Sequence, residues 1–146
     1  MKAVVQRVIS ASVSVDGKVI SSTSAGLIVY LGVKRGDEAE LCSQMAKKIA
    51  NLRIFEDENG KMNKSILDVG GEIMLISQFT LLADPMHGNR PSYTDAESPT
   101  RANELYLLEA DKLREYGLKV KTGVFGADMK IDNVGDGPVT IILEYN

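Results

Sequence analysis

Histidine, cysteine and tryptophan are scarce in this sequence of 146 residues, which has one histidine, one cysteine and no tryptophan. A multi-histidine metal site is therefore impossible, and a zinc site of the usual ligand types is excluded. The lone Cys42 cannot form an intrachain disulfide, which suits a reducing compartment. The sequence thus predicts a protein without a metal or a cofactor.

Long apolar runs are also missing. No stretch approaches the roughly 18 consecutive apolar residues of a membrane-spanning helix, and Met1 to Arg7 lacks the apolar segment of a secretory signal peptide. With 44% apolar and 25% charged residues, the composition is typical of a soluble globular protein. We expect a single domain over residues 1–146, located in the cytoplasm and without membrane contact.

Positive charge is in slight deficit, with 17 Lys and Arg against 20 Asp and Glu and a net charge of −3. This sign is opposite to that of a typical nucleic-acid-binding protein, so charge alone indicates neither a DNA nor an RNA partner. The charge is uneven, because residues 1–35 contain five basic residues and one acidic residue.

The first third of the chain has the pattern of β-structure. Apolar residues and serines alternate from Ser10 to Val15, as in a strand with one face toward water, and Asp16-Gly17 then supplies a two-residue hairpin turn. The return strand begins at Val19. Gly26 to Val33 is an apolar run that is typical of a strand buried on both faces.

Two segments have helical spacing. Asp37 and Glu40 match the first and fourth positions of a capping box, so we expect Asp37 to be the N-cap of a helix over about residues 38–53. Ser98-Pro99 predicts an N-cap followed by proline at the first helical position, opening a second helix that ends at Gly117.

Three more strands are expected, at Ile73 to Leu81, Lys119 to Val124 and Val139 to Tyr145, with a glycine-rich loop before the last one. Two helices and about six or seven strands, mostly at hairpin spacing, predict an α+β fold. We expect a layered or barrel-like, mostly antiparallel β-sheet with the two main helices packed on one side. The glycine spacing matches neither a dinucleotide-binding fingerprint nor a P-loop.

Polar side chains cluster where one of these strands enters a long loop. Ser77, Gln78 and Thr80 lie at this strand end, a common place for functional groups, although a solvated sheet edge has the same pattern. His87 in the loop is the only side chain that could act as base for a hydroxyl nucleophile, and an ordinary surface histidine is the favoured interpretation. For Cys42 a buried structural thiol is favoured over a nucleophile.

Six short motifs stand out when they are taken together. They are Gln6-Arg7-Val8, Gly60-Lys61-Met62-Asn63, Ser77-Gln78-Phe79-Thr80-Leu81, Gly88 with Arg90-Pro91-Ser92, Ala127-Asp128-Met129 and Gly137-Pro138-Val139-Thr140. In order and spacing they resemble the D-aminoacyl-tRNA deacylases, also called D-tyrosyl-tRNA deacylases. The sequence departs from that family's pattern at Gly135, where asparagine is usual, and at Tyr93, where phenylalanine is common.

This resemblance implies an enzyme that edits mischarged tRNA. Such an enzyme hydrolyses the ester between a D-amino acid, or glycine, and the terminal adenosine, and it rejects L-aminoacyl-tRNA. The resemblance also implies a homodimer in which a cis Gly-Pro peptide of one subunit enters the pocket of the other. That role falls here on Gly137 and Pro138, whose carbonyl oxygens could accept the substrate's ammonium group.

The same resemblance implies roles for further residues. The backbone N–H groups of Phe79 and Thr80 would stabilise an oxyanion, and the vicinal 2′-hydroxyl of the tRNA would assist, so little side-chain chemistry is needed. Ser77 and Gln78 would shape the pocket for the adenosine and the ester. Arg7 and Met129 would support the Gly-Pro loop.

Three alternatives stay open at the level of sequence. Thr80 could be a covalent nucleophile, although no base is evident to activate its hydroxyl. The domain could be a non-catalytic module that binds RNA or a metabolite in the same pocket. It could also be an esterase of small esters that uses Ser77 or Thr80 together with His87.

Overall fold

The computed structural model describes every residue from Met1 to Asn146. Its strands are β1 Lys2–Val15, β2 Lys18–Thr23, β3 Gly26–Gly32, β4 Phe55–Glu56, β5 Met62–Lys64, β6 Glu72–Ser77, β7 Lys119–Thr122 and β8 Lys130–Glu144. Its α-helices are α1 Ala39–Asn51, α2 Ile66–Val69 and α3 Pro99–Arg114, and a short 3-10 helix spans Phe79–Leu82.

The long strand β1 organises the main sheet. Its first half pairs antiparallel with β3, its second half pairs antiparallel with β2, and β8 runs antiparallel along its other edge. β3 continues through β6 to β7, and both of these pairings are parallel. The sheet nearly closes on itself where the Ser21 hydroxyl of β2 donates to the carbonyl oxygen of Thr122 on β7 at 3.0 Å.

Two apolar layers lie on opposite faces of this sheet. The inner layer, inside the barrel-like sheet, consists of Val8, Ala11, Val13, Ile28, Met74 and Ile76. The outer layer fills the space between the sheet and helices α1 and α3, and includes Val5, Val29, Met45, Leu75 and Leu105. Because successive strand residues point to opposite faces, β3 and β6 are buried on both sides. The predicted α+β fold is confirmed.

The start of α1 differs from the prediction. Glu38 is the N-cap and makes no side-chain capping bond, so the predicted capping box at Asp37 is wrong. The Asp37 carboxylate is buried, accepts the N–H of Lys34 at 2.7 Å, and forms an ion pair with the ammonium group of Met1 at 2.7 Å. This buried ion pair takes the carboxylate away from the helix end, which no local pattern reveals.

The second main helix follows the prediction closely. Ser98 is the N-cap of α3 and proline occupies the first helical position. Gly117, with a φ of +83°, lies just beyond the helix end. No helix of the structure is both long enough and apolar enough to span a membrane.

Strand β8 is the largest departure from the predicted elements. The glycine-rich segment expected as a loop belongs from Lys130 onward to β8. Within β8, Asp136–Val139 bulges outward opposite the single residue Arg7, since the flanking pairs are Gln6 with Thr140 and Val8 with Gly135. Long-range pairing with β1 overrides the local turn signals of these residues. We call Asp136–Val139 the Gly-Pro bulge.

Candidate functional site

A pocket of about 300 Å³ opens at the carboxyl ends of the parallel strands β3 and β6. Its lining is mostly apolar, and Ser77, Gln78 and Phe79 form one wall. The remaining lining residues are Leu31, Val33, Ile76, Ala102, Tyr106, Phe125, Gly126, Ala127, Met129 and Ile131. A concave apolar site with a few polar groups at a strand end has the usual form of a small-molecule site.

Two backbone N–H groups beside the pocket lie at the start of the 3-10 helix Phe79–Leu82. The N–H of Gln78 donates to Leu31 at 2.8 Å, and the N–H of Leu81 donates back to Gln78 at 3.2 Å. The N–H groups of Phe79 and Thr80, which lie between them, occupy the first two positions of the 3-10 helix, where no earlier turn of the helix supplies an acceptor. Backbone donors of a first helical turn at a pocket edge are suited to hold a developing oxyanion.

No nucleophile–base pair is present at this pocket. The hydroxyl of Thr80 accepts a hydrogen bond from the side-chain amide of Gln78, and Thr80 is not part of the pocket lining. His87 is exposed, its Nδ1 lies 2.8 Å from Oδ2 of Asp84, and it too lies outside the lining. Ser77 forms no hydrogen bond with a histidine. Activation of a serine or threonine hydroxyl therefore has no support in the geometry.

Aromatic rings border the pocket on two sides. The hydroxyl of Tyr106 donates to the carbonyl oxygen of Leu75 at 2.7 Å, and burial raises the pKa of Tyr106 to about 12. Tyr106 is thus a neutral structural donor at pH 7, and its ring centroid lies 6.0 Å from that of Phe125. At the other side Phe79 is 56% exposed and packs edge-to-face on Tyr93, with centroids 5.2 Å apart.

Arg7 joins the Gly-Pro bulge to the rest of the protein. Its guanidinium is buried, donates through Nη1 to the carbonyl oxygen of Ile54 at 2.7 Å, and donates through Nε to the carbonyl oxygen of Asp136 at 3.1 Å. Gly137 and Pro138 follow at the exposed tip, with a cis peptide bond between them, and neither lines the pocket of its own chain.

Met129 lies in a different place from Arg7. It lines the pocket, and its sulfur packs so closely on Gly123 that a Cβ there would come within 2.5 Å of it. Within one chain, therefore, Arg7 contacts the Gly-Pro bulge and Met129 contacts the pocket.

Two buried titratable groups lie outside the pocket, between α1 and α3. The Cys42 thiol donates to the carbonyl oxygen of Leu105 at 3.4 Å, and burial, with a smaller effect of Glu109, raises the pKa of Cys42 to about 12. Cys42 is the buried structural thiol that was predicted. Neither carboxylate oxygen of Glu109 has a hydrogen-bond partner, and burial raises the pKa of Glu109 to about 9.

Known proteins match both the sequence and the fold. A family model described as D-Tyr-tRNA(Tyr) deacylase matches residues 4–144. The chain belongs to this family. A D-aminoacyl-tRNA deacylase of Aquifex aeolicus (strain VF5) is 54% identical to the deacylase-family chain over 144 residues, covering 99% of the chain and 97% of the relative. One from Rhodopirellula baltica (strain DSM 10527 / NCIMB 13988 / SH1) is 51% identical, covering 99% of both.

Two solved structures share the fold of this deacylase-family member. The structure of c-Myc DNA Unwinding Element Binding Protein is 43% identical, has a TM-score of 0.93, and the match covers 100% of this chain and 99% of that chain. A structure described as a probable eukaryotic D-amino acid tRNA deacylase has a TM-score of 0.84 at 15% identity over 97% of each chain, which shows the fold alone.

Sequence reasoning missed several residues of the deacylase-family pocket. Tyr106 and Ala102 lie within the amphipathic pattern of α3, so nothing distinguished them from ordinary core residues. Ala127 stands two residues before Met129 in one of the six motifs, and its part in the lining could have been inferred from that motif. Phe125 gave no signal beyond its proximity to that motif.

Proposed function

We propose that this protein is a D-aminoacyl-tRNA deacylase, which hydrolyses the ester between a D-amino acid and the 3′-terminal adenosine of a tRNA. The observation that carries the proposal is the pocket at Ser77–Phe79, with the first N–H groups of a 3-10 helix at its edge and no nucleophile–base pair. An aminoacyl ester is already activated, so orientation and oxyanion stabilisation suffice for its hydrolysis. Relatives about half identical to this chain bear the same name.

In the proposed reaction, water attacks the ester carbonyl carbon and the bond from that carbon to O3′ of the adenosine breaks. The N–H groups of Phe79 and Thr80 hydrogen-bond the oxyanion that forms on the carbonyl oxygen. The vicinal 2′-hydroxyl relays a proton from the attacking water to O3′, so no protein base is needed. Ser77 and Gln78 shape the part of the pocket that receives the adenosine and the ester.

The proposed active form is a homodimer with two shared sites. Gly137 and Pro138 are exposed at the tip of the Gly-Pro bulge and absent from the pocket of their own chain, so they are available to a partner. In the partner's pocket their carbonyl oxygens accept the substrate ammonium group. Arg7 supports the bulge from its own subunit, and Met129 supports it from the receiving pocket.

This arrangement gives the proposed chiral selection. Once the ammonium group is fixed by the backbone of the Gly-Pro bulge, an L side chain collides with that backbone, whereas a D side chain points away. Glycine has no side chain, so mischarged glycyl-tRNA is also a substrate. The partner is tRNA rather than DNA, and a cytoplasmic location goes with this substrate.

The test of the proposed activity is incubation of D-tyrosyl-tRNA and L-tyrosyl-tRNA with protein at a molar ratio well below one. We expect release of free D-tyrosine with turnover and survival of the L-ester. Protection of the D-ester without release would identify a binding module instead. Comparable cleavage of both esters would contradict the role given to Gly137 and Pro138.

The proposed mechanism is tested separately from the activity. Thr80→Ala and His87→Ala should both retain deacylation, because neither side chain takes part. A tRNA that ends in 2′-deoxyadenosine should resist cleavage, because it lacks the hydroxyl that relays the proton. Loss of activity in His87→Ala would favour the esterase alternative, and loss in Thr80→Ala with cleavage of the deoxy substrate would favour a covalent threonine.

A further inference from the structure

A groove along the exposed side of α1 carries positive charge without any acidic residue. It is lined by Gln44, Lys47, Lys48, Asn51, Leu52, Arg53 and Tyr145, and its volume is about 470 Å³. Three cations and no carboxylate line this groove in a protein whose net charge is −3. A local patch of one sign on a protein of the opposite sign marks a site for an oppositely charged partner.

The two lysines of the α1 groove form no ion pair inside the protein. Lys47 and Lys48 are exposed and form no salt bridge, in contrast to Lys64, Lys112 and Lys130, which each pair with a carboxylate. A lysine in the last turn of a helix stabilises the helix dipole, which accounts for Lys48. It does not account for the neighbouring lysine or for an arginine beyond the helix end.

The walls of the α1 groove are held in place. Arg53 donates through Nε to the carbonyl oxygen of Asn63 at 2.9 Å and through a second nitrogen to the side-chain oxygen of the same residue. Its remaining terminal nitrogen makes no bond to the protein. Tyr145, another lining residue, is anchored by two backbone bonds to Met1, at 2.7 and 2.9 Å. A preformed cationic groove loses little conformational entropy when it binds an anion.

The α1 groove lies next to the Gly-Pro bulge. Arg7 bonds to the carbonyl oxygen of Ile54, the residue after Arg53, and to the carbonyl oxygen of Asp136 at the base of the bulge. If the bulge of one subunit enters the partner's pocket, the α1 groove of the first subunit therefore borders the substrate bound in the second. The chain that continues away from a bound 3′ end is a run of phosphates.

We propose that the α1 groove binds the phosphate backbone of the tRNA whose 3′ end occupies the partner subunit's pocket. This inference rests on the proposed function for its substrate and its dimer. Lys47 and Lys48 each neutralise a phosphate, and Arg53 offers a fixed donor to another. The groove adds to substrate binding and takes no part in the chemical step.

The test compares two double variants that remove the same charge. K47A/K48A alters the α1 groove, and alanine keeps the helix. K18A/K119A removes two exposed lysines of the sheet and serves as the control. We expect K47A/K48A to raise the KM for D-tyrosyl-tRNA several-fold with kcat unchanged. The slope of log kcat/KM against log salt concentration should become shallower by about 1 to 2, because each phosphate contact contributes about 0.7–0.9 to that slope. The control should match the wild type.

A minimal substrate and a direct binding assay separate the groove from the activity. Hydrolysis of 3′-D-tyrosyl adenosine, which has no phosphates beyond the ester, should be equal in K47A/K48A and wild type. Fluorescence anisotropy with uncharged tRNA tests the groove even if neither ester is cleaved, and K47A/K48A should bind it more weakly. The proposal would be overturned if K47A/K48A and the wild type had equal KM values, or if K18A/K119A raised the KM as much as K47A/K48A. It would also be overturned if K47A/K48A bound duplex DNA more weakly but tRNA as tightly as the wild type.

Discussion

At the scale of single residues, Gly32 decides how closely the pocket wall approaches β3. A Cβ at this position would lie 2.4 Å from the Leu82 side chain and 3.0 Å from the carbonyl oxygen of Gln78. Gly32→Ala should therefore displace the 3-10 helix that carries the N–H groups of Phe79 and Thr80, and lower kcat about tenfold or more. Gly135→Ala is the control, since its nearest neighbour would be 3.7 Å away. Steady-state kinetics on D-tyrosyl-tRNA provide the measurement. The same kcat in both variants would show that the close approach is unimportant.

Glu109 makes stability depend on pH. Burial raises its folded pKa from 4.5 to about 9, so the unfolded chain releases a proton that the native state retains. The contribution of Glu109 to the free energy of unfolding is therefore fully present below about pH 4.5. It falls as the pH rises from there to about pH 9, by at most about 1.4 kcal/mol per pH unit.

Glu109→Gln should remove most of this dependence. Urea unfolding at about pH 5 and about pH 8 should show a smaller loss of the free energy of unfolding in Glu109→Gln than in the wild type. Glu104→Gln, an exposed change on the same helix, should keep the wild-type dependence. Parallel pH profiles in all three proteins would show that Glu109 ionises in the folded state as easily as in water.

At the scale of secondary-structure elements, Arg7 ties β1 to the bulge in β8. Arg7→Lys keeps the charge but cannot reach both Ile54 and Asp136 with a planar fork. We expect a loss of about 2 kcal/mol in the free energy of unfolding and a fall in kcat/KM. Arg101→Lys, in an exposed pair on α3, should change neither. Thermal melts and deacylation kinetics of the two variants give the comparison.

The elements differ in how well sequence alone could predict them. The second half of β1 has alternating apolar residues, β3 is an unbroken apolar run, and both main helices have helical apolar spacing, so these patterns specify the elements. The strand predicted from Ser10 begins in the structure at Lys2. The predicted N-cap of α1 is wrong because the Asp37 carboxylate pairs with the ammonium group of Met1, which is distant in the sequence. The sequence did not predict the full length of β8, because its glycines are typical of a loop. Only the pairing with β1 gives this segment its extended conformation.

The candidate site was predictable in part for a similar reason. Ser77, Gln78 and Phe79 lie at one strand end, so sequence order places them together. Tyr106 reaches the same pocket from α3, and this proximity exists only after the helix packs on the sheet. The position of Gly137 and Pro138 outside their own pocket likewise depends on how β8 pairs, which no local pattern encodes.

At the scale of the whole molecule, shared sites predict that two inactive variants can restore each other. Ala127→Trp fills the pocket, and Gly137→Ala is strained because φ at this residue is +132° and a Cβ would lie 2.8 Å from the Val139 nitrogen. Each variant alone should be inactive. After subunit exchange, half of the dimers are mixed and each has one intact site, so about a quarter of wild-type activity should return.

The outcome of mixing separates shared sites from independent ones. If each chain carried a complete site, mixing Ala127→Trp with Gly137→Ala would restore no activity. Sedimentation velocity on each variant, run before mixing, checks that both still form dimers. Monomeric wild-type protein with full activity would contradict the shared site directly.

The buried thiol of Cys42 has a practical consequence. With its pKa near 12 and its sulfur bonded inside the helical layer, it has almost no thiolate at neutral pH, and thiol reagents should leave it unmodified. A single cysteine introduced at the surface would therefore be the one reactive thiol of the protein. A spin label attached next to Pro138 would then report the distance between the two bulges by electron paramagnetic resonance, in the otherwise native protein.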